Sequence, residues 1–429
     1  MLERLALHRP ELRAWALYDW ANSAFFTTVV TAIFPVYFAT VAAKGLPSDV
    51  ATSRYAFATT VALSIAAVLG PVLGSFADRA PLKKRFLAFF VGLGALSTAL
   101  LWFVGEGDWV LGAILFGIGN LAASSGFVFY DALLPHIASA DEMDRVSVAG
   151  YAIGYLGGGL LLAINVAWVL SPETFGLPDA GVATRLSFVS VAVWWAAFSI
   201  PLFRRVPEPA VAHVRDPNRS LVGDSFRGLA RTLKELRSYR EAALFMLAFL
   251  LYNDGIQTII RMAAVYSTEI GMETSALIQA VLLVQVIGIP FAFLFGQLAD
   301  KLGSRRAIGL GIVAYAGVSI LAWQMDSSSE FFALAIIVGM VQGGTQALSR
   351  SLFASLIPAH KSAEFFGLFA VMEKFAGIFG PALFGIVVAV TGSSRHAILS
   401  VIVFFIVGGL LLSRVDIEAG QRQARAAST

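Results

Sequence analysis

The sequence predicts an all-α membrane protein of twelve transmembrane helices in two pseudo-symmetric six-helix bundles, with both termini in the cytoplasm. Three observations lead there. The chain is 58% hydrophobic and 14% charged, with a mean hydropathy of +0.76. Its apolar residues fall in blocks long enough for a bilayer, which takes roughly 20 residues per helix. A polar loop also occurs twice: GSFADRAPLKKR (Gly74 to Arg85) and GQLADKLGSRR (Gly296 to Arg306) lie 222 residues apart, and each ends one apolar block and begins another. Finally, successive connections alternate between basic and acidic.

The spans are expected near 13–40, 52–77, 86–105, 109–135, 146–170, 184–203, 240–267, 275–299, 306–325, 330–357, 362–391 and 395–414. The long polar connection, 204–239, separates an N-terminal bundle (1–203) from a C-terminal bundle with its cytoplasmic tail (240–429). Within it Val222, Phe226, Leu229, Leu233 and Leu236 keep helical spacing opposite Arg227, Arg231, Lys234 and Arg237. That pattern fits an amphipathic helix on the membrane surface and equally a plain linker helix. The N-terminus does not read as a cleavable signal peptide, because it offers no small-residue cleavage site and the apolar stretch after it is too long.

Orientation follows from the basic residues. Connections 78–86, 204–239 and 300–306 and the tail after Arg414 are rich in Lys and Arg, which places them inside. The alternate connections carry Glu106 and Asp108, Glu173 and Asp179, Glu269 and Glu273, Asp326 and Glu330. The connection 136–145, with Asp141, Glu142 and Asp144, runs against the trend. A second repeat supports the two halves. The fourth helix ends FYDALLPH (Phe129 to His136) and the tenth ends LFASLIPAH (Leu352 to His360), with Pro135 and Pro358 223 residues apart. A Gly-rich helix follows each, and the 39 glycines suit helices that pack closely in lipid.

Several function classes are disfavoured. Without cysteine there is no disulfide framework, thiolate metal site or Cys nucleophile. A net charge of +3, with the basic residues in loops, gives no nucleic-acid footprint. There is no GxxxxGK(S/T) phosphate loop, so an ATP-driven pump is not indicated. His8, His136, His213, His360 and His396 all sit in tails, loops or helix ends, which leaves no intramembrane His or Ser–His constellation for an embedded enzyme. No cofactor and no metal are expected.

A charged side chain at the bilayer centre costs roughly 2.5–3.5 kcal/mol on the insertion scale, so each one needs an account. The first helix carries Tyr18, Asp19 and Asn22, and the fourth carries Asn120, Ser124, Tyr130 and Asp131. The seventh carries Tyr252, Asn253, Asp254, Gln257 and Arg261; the tenth carries Gln342, Gln346 and Arg350 at steps of four, one face of a helix. Helix eleven adds Glu373 and Lys374. Each lone Asn or Gln is as readily interhelical glue as a solute contact. Yet helices one, four, seven and ten each begin a three-helix unit, and a polar stripe on all four suits a central water-filled pathway. Asp19, Asp131 and Arg350 lie toward the cytoplasmic side and are candidates for a gate. Asp254, Glu373 and Lys374 lie near mid-membrane, with Arg261 further out. The repeated loop reads as a cytoplasmic latch made of Gly74, Asp78, Arg79 and Arg85 and of Gly296, Asp300, Arg305 and Arg306. In it, glycines permit close helix approach and aspartates pair with bases or face a helix N-terminus.

The two Gly-x-x-x-Asp-(Arg/Lys) loops resemble the signature of the major facilitator superfamily. Five blocks narrow the likeness: RAWALYDWANSAFFTTVVTAIFPVYF (Arg13 to Phe38), YDALLP (Tyr130 to Pro135), LYNDGIQTI (Leu251 to Ile259), GGTQALSRSLFASLIP (Gly343 to Pro358) and EFFGLFAVMEKFAGIFGP (Glu364 to Pro381). In order, they resemble the vacuole-effluxer-like branch, named for the yeast autophagy-related protein associated with amino-acid release from the vacuole. The resemblance implies efflux of a small polar solute such as neutral amino acids, by alternating access with proton coupling. Two departures count against a multidrug proton antiporter: the fourth helix, GIGNLAASSGF (Gly117 to Phe127), has no Arg, and the fifth has the Gly spacing of the antiporter motif without its Pro, whereas helix eleven has Gly380-Pro381. A lipid or lysolipid flippase on the same fold is the alternative, followed by a membrane-embedded enzyme or a transport-inactive sensor. The partners expected are a small-molecule solute, protons or another coupling ion, and the lipid bilayer. The chain is expected to act as a monomer in the bacterial inner membrane.

Overall fold

A computed structural model describes residues 7–139, 141–210, 238–269, 274–376, 379–391 and 393–428, with the backbone alone described at some of them, Arg79, Arg261 and Lys374 included. These residues form helices and short connections, with no strand among them. The amphipathic stripe from Val222 to Leu236 lies outside the described residues.

The N-terminal half comprises α1 (Pro10–Ala42), α2 (Ser48–Arg79), α3 (Lys83–Leu100), α4 (Trp109–Ile137), α5 (Met143–Leu170) and α6 (Ala180–Arg205). The C-terminal half comprises α7 (Arg240–Glu269), α8 (Thr274–Leu302), α9 (Ser304–Gln324), α10 (Ser328–Leu356), α11 (Ser362–Phe375), α12 (Phe379–Thr391) and α13 (Ser394–Ser413). Among the described residues, 11 helices are long and apolar enough to cross a membrane. Local chemistry sets many of the ends. Pro10 starts α1, where its missing N–H is no loss. Ala80, held extended ahead of Pro81, stops α2. Asp179 caps α6 by accepting from Val182 N at 2.8 Å, and Ser327 with Glu330 forms a capping box on α10.

Two spans differ from the regular helices expected. The first widens into π-helical turns at Phe25–Ala32 and Phe38–Ala42, on either side of Pro35, which cannot donate to the helix ladder. Thr27 and Thr31 hydroxyls take up the Ser23 and Phe26 carbonyls there, at 2.9 and 2.8 Å. The eleventh span, expected as one helix over 362–391, is interrupted. Its first part ends at Phe375, and Ala376 is extended (φ −60°, ψ 124°). The run Gly377 to Pro381 explains the break, with two glycines of poor helix propensity and a proline that lacks the N–H the ladder needs.

The halves repeat one packing scheme. In the first, α1 packs on α6 and α3 on α4; in the second, α7 packs on α13 and α9 on α10. They meet along α2 with α11 and α5 with α8. Both termini lie on one face. Arg9 reaches Glu142 and the Ile137 carbonyl, while a further helix, α14 (Ile417–Ser428), runs along the C-terminal half. Gln421 of α14 donates to Ser355 Oγ at 3.1 Å, and Arg305 donates to the Val415 carbonyl at 2.7 Å. The polar composition of this tail carries no span signal, so only the fold reveals it. The acidic connection 136–145 also finds its reason here. Glu142 is bound to Arg9 and to Ser139 N, and Asp144 accepts from Ser304 and Ser351, so these charges are taken up inside the protein.

Candidate functional site

The side chain that organises the site is Arg350. It ends the polar stripe of α10, in the C-terminal half, yet its charged contacts belong to the N-terminal half. Its side chain is 4% exposed, and a guanidinium that deep requires both charge compensation and hydrogen bonds. Nη1 and Nη2 each donate to Asp19 Oδ2 at 3.2 Å, and Nη1 donates to Asp131 Oδ1 at 3.3 Å. Nε donates to Ser147 Oγ at 2.9 Å and Nη2 to the Ser147 carbonyl at 3.0 Å. Three rings surround the cation, Trp15 at 4.7 Å, Tyr151 at 4.6 Å and Tyr130 at 5.6 Å from the guanidinium carbon. Tyr130 also donates to Asp19 Oδ2 at 2.9 Å, and Tyr18 lies against the Tyr130 ring at 4.6 Å. Gly150 gives the cluster its room, since a Cβ there would run into Asp19 Oδ2.

Nearer the terminal face, the first copy of the repeated loop joins the halves. Gly74 and Gly367 bring α2 and α11 into backbone contact: a Cβ on Gly74 would collide with the Ala363 carbonyl, and one on Gly367 would lie 2.6 Å from the Gly70 carbonyl oxygen. That approach delivers Asp78 to the start of α11, where Ala363 N and Glu364 N donate to its two oxygens at 3.2 and 2.7 Å. Lys83 completes the charge balance at 2.5 Å, with both side chains almost fully buried. Below it, Ser362 Oγ donates to the Ala132 carbonyl at 2.8 Å. The second copy is built differently. Asp300, Lys301 and Arg306 are exposed, a Cβ on Gly296 would meet the Val148 side chain rather than backbone, and this copy reaches the other half through Ser304, whose hydroxyl donates to Asp144. Arg305 binds the Ser413 and Val415 carbonyls of its own half. Arg85 is exposed as well.

On the opposite side of Arg350 both halves line a partly open cavity of about 490 Å³. Thr27, Thr31, Gln285 and Gln342 provide polar groups in a wall otherwise dominated by aliphatic side chains. Between the cavity and the Arg350 network, Gln346 donates to Asn253 Oδ1 at 2.7 Å, and Tyr252 and Ser349 hydroxyls meet at 2.6 Å. Asn22, Asn120 and Asp254 are buried, and Gln257 and Glu373 are half-buried. Asn22 Oδ1 and Ser124 Oγ are buried polar atoms without a hydrogen-bond partner. The Arg261 and Lys374 side chains lie outside the described residues.

Asp19, Asp131 and Arg350 therefore meet, whereas the two loop copies do not act alike. Sequence reasoning missed Trp15, Ser147, Tyr151, Lys83, Asp144 and Ser351. A signal existed for three of them: Trp15 is one helical turn from Asp19, and Ser147 and Tyr151 are one turn apart on either side of Gly150.

Comparison with known proteins agrees with this architecture. Residues 7–425 match the family described as vacuole effluxer Atg22 like. The chain is 36% identical over 407 residues to YxiO of Bacillus subtilis (strain 168), described as an uncharacterized MFS-type transporter, covering 94% of each chain. It is 27% identical to autophagy-related protein 22 of Yarrowia lipolytica, covering 86% of this chain and 76% of the relative. Among solved structures, the human organic anion transporter MFSD10 (TETRAN) superposes with a TM-score of 0.71 at 13% identity, over 94% of this chain and 99% of that one.

Proposed function

The chain belongs to the vacuole effluxer Atg22-like family of major facilitator transporters, and from that premise we propose that it exports neutral amino acids by alternating access coupled to protons. It is a multi-pass membrane transporter. The observation that carries the proposal furthest is the Arg350 network. A cation from one half, buried against two carboxylates of the other, shuts the terminal face while the cavity lies on the far side. That is one of the two states an alternating-access cycle needs, and the pseudo-symmetric halves (1–203 and 240–429, tethered by 204–239) are its rocking units. The buried amides and unpartnered hydroxyl and amide oxygens along the pathway suit a solute with polar ends, and the aliphatic wall suits an apolar side chain. Two carboxylates face one guanidinium, which leaves a place for a proton during the cycle. In this reading the protein works as a monomer in a bacterial inner (cytoplasmic) membrane; the bacterial source of the relative at 36% identity supports no more than the bacterial part of it.

The test is counterflow in proteoliposomes with amino acids, peptides and lysolipids, with and without a pH gradient. Neutral amino acids are expected to exchange, and to accumulate uphill only when the gradient is present. The largely aliphatic cavity wall favours the lipid reading as the second one, so lysolipid movement without amino-acid exchange would replace the proposal with a flippase. Asp19→Asn and Asp131→Asn are each expected to lower uphill transport roughly 100-fold, the scale of breaking a buried ion pair at ~3 kcal/mol. Unchanged accumulation by both variants removes these carboxylates from the coupling.

A further inference from the structure

Every side chain that cages the Arg350 guanidinium belongs to the N-terminal half. Trp15 and Asp19 come from α1, Tyr130 and Asp131 from α4, and Ser147 and Tyr151 from α5. The cation itself arrives on α10 of the other half. If the halves part on the terminal side, Arg350 leaves with its own half and the cage stays behind. We propose that this cage, vacated by Arg350, binds the cationic nitrogen of the transported solute, a primary ammonium or guanidinium, so that Arg350 acts as a tethered stand-in for the solute in the closed state. The inference rests on the alternating-access reading and assigns the solute's charged end to named residues.

Three features distinguish a cation site from a plain gate. First, the cage is built independently of Arg350. Trp15 Nε1 donates to the Tyr130 carbonyl at 3.0 Å, the two rings stack at 4.5 Å, and the Tyr130 hydroxyl fixes Asp19 at 2.9 Å. A site that keeps its shape when emptied loses little freedom on refilling. Second, a gate needs only opposite charges, and a proton gains nothing from aromatic faces. Three rings around one cation create the surface that stabilises an organic ammonium or guanidinium. Third, departure of Arg350 leaves Asp19 and Asp131 without that countercharge in a largely apolar setting, where one carboxylate can take a proton and the other is left to attract a replacement cation. An α-amino acid offers its ammonium to the cage and its carboxylate to the departing Arg350.

The experiment uses the full chain, purified, with agmatine and low-millimolar guanidinium chloride as probes and urea as the uncharged isostere of guanidinium. In Arg350→Ala, which leaves the cage open, both cations are expected to raise the melting midpoint saturably and urea is not. The double variant Asp19→Asn/Arg350→Ala is expected to bind agmatine roughly tenfold more weakly or worse. No shift in a folded Arg350→Ala protein, or an equal shift by urea, overturns the proposal. Should Arg350→Ala fail to fold, Ser147→Cys in this otherwise cysteine-free chain decides it. Alkylation of that cysteine from the cytoplasmic side should slow with agmatine and not with urea, and indifference to agmatine overturns the proposal. These readouts need no gradient and no transport, so they separate the two readings. A protein that binds agmatine but exchanges none of the amino acids keeps the cage and loses the amino-acid assignment. One that exchanges amino acids without agmatine affinity does the reverse.

Discussion

Arg350→Ala is expected to abolish concentrative transport and to open the cytoplasmic face to small alkylating reagents. The change removes the cation that pairs with two buried carboxylates, which costs about 3–5 kcal/mol in comparable buried pairs. It also removes the donors to Ser147 Oγ and the Ser147 carbonyl and the ring contacts with Trp15, Tyr130 and Tyr151. All of these joined one half to the other, so the loss falls on the closed state. Arg350→Lys keeps the charge but not the planar fork that reaches Asp19, Asp131 and Ser147 together, and retains only a fraction of transport. The triple variant Asp19→Asn/Asp131→Asn/Arg350→Gln removes the charges as a set. Its melting midpoint should recover toward wild type, because neutral replacement of a buried ion cluster is often without penalty, while transport stays lost. Wild-type counterflow and accessibility in Arg350→Ala would show that the network is incidental to transport.

The second large effect is an inequality between two loops that read alike. Asp78→Ala strands Lys83, itself buried, and leaves two N–H groups at the start of α11 without their acceptor, so a loss of about 3–5 kcal/mol from the closed state is expected. Asp300→Ala removes an exposed side chain and should stay within about 0.5 kcal/mol. The glycines follow suit. Gly74→Ala drives a Cβ into the Ala363 carbonyl, which cannot move without shifting α11, and overpacking of that kind costs about 1–3 kcal/mol. Gly296→Ala places its Cβ 3.2 Å from a Val148 methyl, a contact relieved by a small shift of one side chain rather than of a helix backbone. Thermal unfolding, cytoplasmic accessibility and counterflow on the four variants measure the inequality, and equal effects from Asp78→Ala and Asp300→Ala would refute it.

The spans, the orientation and the two-half repeat were legible in the chain because each rests on local quantities: hydropathy over a window of one helix, basic residues within a loop, and spacing at a fixed offset. The Gly377 to Pro381 run held the signal for the interruption of the eleventh span, yet the long apolar block around it outweighed that signal in a reading by hydropathy. The depth of Asp19, Asp131 and Arg350 was likewise readable from their distance to the helix ends. Their partners were not. Arg350 meets Asp19 across 331 positions and Ser147 across 203, and such meetings depend on how the two halves close rather than on any spacing. The aromatic cage was hidden for the same reason: Trp15 and Tyr151 look like ordinary membrane-helix residues until a cation from the other half arrives between them.

The amino-acid sequence by itself determined that this is a membrane protein of two like halves, because burial in lipid constrains every helix separately. Only the tertiary structure decided that one copy of the repeated loop buries its aspartate against Lys83 and the start of α11, while the other leaves Asp300 exposed and reaches the opposite half through Ser304. Two similar sequences acquire different energies when one is pressed backbone to backbone against α11 and the other meets side chains of α5, Val148 and Asp144. The environment supplied by the opposite half, which no residue carries in its own neighbourhood, sets what each charge does.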